Sequence, residues 1–212
     1  MNKQLVTILI LMLPWISSPA QQTNIVSMLS PKLRKLMTAN PAALTILTNA
    51  FCAACTNKSV TVHYFYGDSR PRAGHYYPDT IGEADAVLVI REDQQPWDEF
   101  MSIVYELQNA SNGGRIEELI QRAKSDSISR AEFATEILRV EFESLKTTRA
   151  LLRDLKLSKK EKAGSYFYPL IMPCPSDFQG FLSYTKRVSA PRDVVKEYEA
   201  KYDALRKKAE AH

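Results

Sequence analysis

The chain has 212 residues, 45% hydrophobic and 25% charged, with a formal net charge of +4. This composition disfavours disorder and supplies enough apolar residues for one domain with its own core. The mild positive charge favours solubility and does not demand a nucleic-acid partner.

The first segment reads as a secretory leader. Lys3 gives a basic start, an uncharged and mostly apolar run extends from Leu5 to Ile16, and Ser18 and Ala20 form a small-x-small exit. The apolar run is shorter than the roughly 20 residues a spanning helix needs, which argues against an uncleaved anchor. Cleavage is expected after Ala20, leaving residues 21–212 as one secreted or periplasmic domain. Cleavage removes only Lys3 among charged residues, so the net charge falls from +4 to +3. No later apolar run is long enough to span, so no stable membrane span is expected in the processed chain.

Ser30-Pro31 predicts a helix start: a serine cap followed by proline at the first helical position. Asn40-Pro41 repeats the device and opens a densely apolar helix running to about Cys55. Ser59 to Phe65 alternates β-branched and aromatic residues and predicts a strand. A polar turn-rich loop, Gly67 to Gly74, leads to His75-Tyr76-Tyr77-Pro78. Ala84 to Ile90 predicts a second strand, expected to join the first in a small antiparallel sheet.

Pro96 opens an amphipathic helix to about Ala110, with Asn112-Gly113-Gly114 as its expected end. A further helix is expected from Arg115 to about Lys124. Ser129 and Glu132 have the spacing of a capping box before a long helix to about Leu157. Lys159 to Lys162 reads as a solvated charge run, and Ser176 to Gln179 as a second capping box. Pro191 opens the last helix, whose stripe of Val194, Val195, Tyr198, Tyr202 and Leu205 is expected to dock on the domain. Few strands and many helices give a mostly helical α+β fold.

The stretch His75 to Ala110 bears most on function. A tyrosine-bearing loop, the strand Val87-Leu88-Val89-Ile90, and a helix containing Tyr105-Glu106-Leu107-Gln108-Asn109-Ala110 follow one another. In that order the stretch resembles the central segment of zincin metallopeptidases, where a tyrosine-rich turn and an edge strand lead into a His-Glu-Leu-x-His-Ala helix. Glu106, Leu107 and Ala110 match that pattern, while Tyr105 and Asn109 stand at the two histidine positions. The resemblance covers about 35 residues.

The departures decide the chemistry. Two histidines four apart on a helix aim at one zinc, and the glutamate between them takes a proton from the metal-bound water. Here the glutamate remains and the ligands do not. Tyrosine, with a pKa near 10, and a neutral asparagine amide are poor zinc ligands. The resemblance therefore implies a zincin-like scaffold without metal or cofactor, used for binding a protein or peptide or for structure. Two alternatives stand beside it: a divergent metal-dependent hydrolase, and an unrelated helical envelope-associated interaction protein.

Glu141 shares a helix face with Ile137 and Leu145. Some zincins take a third ligand from a glutamate on the next long helix, so Glu141 would complete a vestigial polar cluster with Tyr105, Glu106, Asn109 and His75. Its other reading is a rim residue reaching water. Cys52, Cys55 and Cys174 allow three disulfide pairings, and the sequence alone does not select one. Cys52-Ala53-Ala54-Cys55 lies at the expected C-terminal end of a helix, where the dipole disfavours a thiolate, so thioredoxin-like chemistry is not expected.

Overall fold

The Ser30 hydroxyl accepts a hydrogen bond from the Leu33 N–H at 3.2 Å and opens α1, Pro31–Ala39, as its Ser-Pro signature predicts. The computed structural model describes residues 25–56, 59–65, 75–77, 85–165, 167–189 and 193–211. The leader, the loop Gly67 to Gly74 and Pro191 lie outside them. So do the side chains of His75, Tyr76 and Tyr77.

Helix α2, Pro41–Ala54, follows at Asn40 and buries Ala43, Ile46, Leu47, Ala50, Phe51 and Ala54. Strands β1, Ser59–Phe65, and β3, Asp85–Arg91, form as expected within a residue. Their pairing corrects the expected antiparallel sheet: β1 and β3 run parallel, with Val62 opposite Leu88. A parallel pair needs a crossover of about a dozen residues or more, and residues 66–84 supply it. Within that link the chain forms β2, His75–Tyr77, which pairs antiparallel with the other side of β3 and puts Tyr76 opposite Leu88. The sheet order is β1-β3-β2. As its central strand, β3 carries an almost continuous apolar run, with Leu88 and Ile90 fully buried.

Helix α3, Pro96–Ser111, packs against β3, β2 and α2. It is buried nearly all round, as the central helix of a domain must be. It stops at Asn112, but the expected terminator Gly113-Gly114 instead begins α4, Gly113–Lys124. Asn112 holds the corner: its side-chain amide donates to the Gln108 carbonyl at 3.0 Å and to Ser144 Oγ at 3.2 Å.

Helix α5, Arg130–Arg153, has half of the expected capping box. The Ser129 hydroxyl accepts from the Glu132 N–H, while the Glu132 carboxylate turns to Arg122 at 3.4 Å. The helix ends before the expected Leu157, and Leu155 and Leu157 fold back into the main core. The complete capping box belongs to the segment read as a solvated charge run. Ser158 and Glu161 cap each other and open α6, Lys159–Gly164. A short α7, Tyr168–Ile171, follows. Helix α8, Phe178–Val188, is capped by Asp177, which accepts from the Gly180 N–H at 2.7 Å, and not by the expected box of Ser176 and Gln179.

The last helix, α9, Val194–Glu210, docks through the expected stripe. Tyr202 lies with Phe133 and Val140 in one cluster, and Val194, Val195 and Tyr198 pack against a second around Phe142 and Phe181. The Tyr202 hydroxyl hooks onto the Ile128 carbonyl at 3.0 Å. The largest cluster joins α1, α2, the sheet and α3. The architecture is thus a mostly helical α+β domain with a small mixed sheet. No helix among the described residues is long and apolar enough to cross a membrane.

Candidate functional site

Tyr105 and Asn109 lie one helical turn apart on α3, so their side chains leave the helix in similar directions. Between them, Glu106 is 4% exposed and accepts from the Asn109 amide at 3.0 Å. α5 packs against α3 and brings Glu141 close enough to act on Tyr105. From α9, the Tyr198 hydroxyl donates to the Glu141 carboxylate. Four expected residues, Tyr105, Glu106, Asn109 and Glu141, therefore meet at the α3–α5 seam. The fifth, His75, has its backbone in β2 opposite Val89, and its side chain lies outside the described residues.

Glu106 and Asn109 are buried in the seam, and Tyr105 and Glu141 are half-buried. Burial pushes the Tyr105 phenol well above its ordinary range, and the charges of Glu141 and Glu106 push further in the same direction. The Asn109 amide beside it acts in the opposite sense. Tyr105 thus stays a protonated phenol and offers no anionic oxygen to a cation. Burial also raises Glu141, while the Tyr198 hydroxyl and the nearby Lys201 ammonium pull it back and Glu197 adds to the rise. Asn109 Oδ1 and Thr148 Oγ1 are buried with no hydrogen-bond partner among the described residues. Among those residues no group of three or more His, Cys, Asp or Glu side chains is placed to hold a metal ion.

The sequence reading placed Tyr198 on the docking stripe and did not see it as a partner of Glu141. The stripe's i, i+4 pattern marks which face is buried but does not say which group that face meets. Cys174 lies near enough to Tyr105 and Tyr184 to affect both. Arg149, itself buried, donates to the Cys174 carbonyl and ties that loop to α5. All three cysteines are free thiols in this structure.

A second polar cluster was not foreseen. Glu99, in the first turn of α3, is fully buried. Ser30 Oγ donates to its Oε2 and Tyr64 to its Oε1, both at 2.8 Å, and Lys32 Nζ stands 3.9 Å from Oε2. Lys32 also donates to the Glu92 and Gln94 carbonyls, and the Ser30 N–H donates to the Tyr64 oxygen at 3.0 Å. Both carboxylate oxygens are occupied. The cluster pins the start of α1, the end of β1 and the start of α3 to one point, and the α3 N-terminus favours the negative charge there. Its partners lie 69 and 35 residues away in sequence, so no local pattern announces it.

A cavity of about 330 Å³ opens elsewhere, lined by Asn40, Trp97, Asp154, Leu155, Leu157 and Glu161. None of the residues of the Tyr105 seam lines it. The Trp97 indole donates to Glu161 at 3.0 Å across it, which ties α6 to α3. No family model, curated protein or solved structure matches the chain.

Proposed function

We propose that the chain is a secreted or periplasmic domain on a zincin-like scaffold, in which Tyr105 and Asn109 occupy the places of metal ligands. Its role is to bind a protein or peptide or to serve structure, without catalysis. One observation carries this reading: Tyr105, Glu106 and Asn109 of α3 converge with Glu141 of the next long helix, in a seam of protonated phenol, amide and carboxylates. The tyrosine-bearing strand β2 lies at the sheet edge, and β3 leads directly into α3, in keeping with the strand-to-helix order of the resemblance. Such a seam lacks the nitrogen and sulfur ligands that zinc prefers.

Metal analysis of the processed protein after incubation with zinc and desalting tests the absence of a ligand set. The reading predicts well under one zinc per chain, a melting temperature unaffected by chelator, and no peptide hydrolysis. Stoichiometric zinc, with hydrolysis lost in Glu106→Gln, would instead establish the divergent hydrolase. Intact-mass measurement on protein exported from a bacterial host tests the leader. The expected chain begins at Gln21, and a mature protein retaining residues 1–20 would overturn the extracytosolic assignment.

A further inference from the structure

We propose that Cys52 and Cys55 form a reversible disulfide that staples the end of α2, while Cys174 remains a thiol. Cys52 lies in the last turn of α2 and Cys55 is its C-cap. The Cys55 N–H still donates to the Phe51 carbonyl at 2.9 Å, so helical spacing persists through the pair. That spacing puts the two α-carbons about 5 Å apart, inside the range of roughly 4.4–6.8 Å that a disulfide spans, while the β-carbons, about 5–6 Å apart on a regular helix, have to close to about 4 Å. At the cap the ladder ends, and Cys55, with φ −87° and ψ 11°, is free of the next helical turn. Both side chains are half-exposed, so an oxidant reaches them, and each stands close enough for one to act on the other's ionisation.

Cys174 differs on each count. It is 4% exposed and lies in the cluster around Phe142 and Phe181, whereas Cys55 packs on the main core. The groups that act on it and on which it acts are Arg149, Tyr105 and Tyr184, none of them on α2.

Closure needs a low-molecular-weight disulfide such as oxidised glutathione. Cys52, which is not part of the core cluster, attacks first. Its thiol gives up its proton to solvent, and the resulting thiolate bonds to one glutathione sulfur and expels the other as a thiolate, which leaves a mixed disulfide on Cys52. The Cys55 thiolate then displaces the second glutathione. Two electrons pass from the protein dithiol to the oxidant, and two glutathione thiols leave. Burial holds both cysteine thiols above their ordinary range, and the helix C-terminus gives them no help. The pair therefore suits a slow structural staple and not a catalytic dithiol. The chemistry stands independently of the zincin-like reading; only its occupancy in the cell rests on the extracytosolic assignment, since an oxidising compartment supplies the oxidant.

Trypsin makes the test clean. Cys52 and Cys55 fall in one tryptic peptide, 36–58, and Cys174 in another, 163–186. The full processed chain is equilibrated with oxidised glutathione, alkylated, digested and weighed. The expected result is peptide 36–58 lighter by two hydrogens and unalkylated, with Cys174 alkylated. Cys52→Ser should abolish the light peptide and leave Cys174 alkylated as before. A cross-link between 36–58 and 163–186, a lasting glutathione adduct on 36–58, or two alkylated cysteines in 36–58 would each overturn the proposal.

Discussion

Glu99→Ala is expected to lower folding stability by about 2–4 kcal/mol, since a buried hydroxyl, Ser30, and a half-buried one, Tyr64, lose their acceptor and a cavity opens beneath α3. Ser30 and Tyr64 both aim their protons at this carboxylate. Urea denaturation measures the loss. Glu99→Gln keeps one acceptor oxygen and fills the space, so its cost should be smaller, about 1 kcal/mol. A double-mutant cycle with Tyr64→Phe should give a coupling of about 0.5–3 kcal/mol, as for residues in one hydrogen-bond network. A loss in Glu99→Ala no larger than that of an exposed glutamate would show that the cluster pins nothing.

The pH dependence of this cluster has a definite sign. Burial raises the Glu99 carboxyl above its ordinary value, although Ser30, Tyr64 and Lys32 each pull it down. A raised carboxyl binds its proton more tightly folded than unfolded. Its contribution is therefore fully present below the ordinary carboxylate range and is lost as pH rises through the raised value. The difference in stability between the natural protein and Glu99→Gln, followed across that window, should shift against the natural protein as pH rises. A difference that is flat, or that moves the other way, would contradict the assignment.

The second large effect is expected at the junction of α5 and α9. Tyr198→Phe leaves Glu141 without its phenol donor and should cost about 1–3 kcal/mol. The loss should appear as faster hydrogen exchange in residues 194–210, with α3 little changed. Glu141 stands near Tyr105 of α3 and Tyr198, Lys201 and Glu197 of α9, and Glu106 of α3 acts on the same Tyr198. Its carboxyl is raised, so here too stability is greatest when it is protonated and falls as pH climbs through its folded value. Glu141→Gln removes that dependence and should match or exceed the natural protein at neutral pH, because no charge is then buried. Greater protection of α9 at alkaline than at mildly acidic pH, after correction for the intrinsic pH dependence of amide exchange, would contradict the account.

The sequence announced elements better than it announced their partners. Ser30-Pro31 and the alternation of Ser59 to Phe65 act locally, and both elements formed where local chemistry put them. The direction of the β1–β3 pair is not local. It depends on a 66–84 crossover whose three-residue strand, β2, is too short for a period to show. The box of Ser158 and Glu161 has the same serine-to-glutamate spacing as the one noted at Ser129, but the lysines around it suggested a solvated run. At Ser129 the spacing misled in part, because Arg122 competes for Glu132.

The candidate site divides in the same way. Helical spacing placed Tyr105 and Asn109 on one face of α3 and put Glu141 on a face of α5 shared with core residues, and Glu141, half-buried, comes near Tyr105. Tyr198 and the whole Glu99 cluster join residues far apart in the chain, and their burial follows from packing that no single segment encodes.

The proposal that α3 and α5 form a ligand-orienting frame can be tested by supplying that frame with ligands. Tyr105→His combined with Asn109→His restores two imidazoles one turn apart, beside Glu106 and Glu141. The account predicts that this variant, with the natural helical circular dichroism, binds one zinc per chain and gains melting temperature on binding, while the natural protein does neither. A folded double variant that takes up no zinc would show that the two positions do not converge on a metal site, and the zincin-like reading would fall.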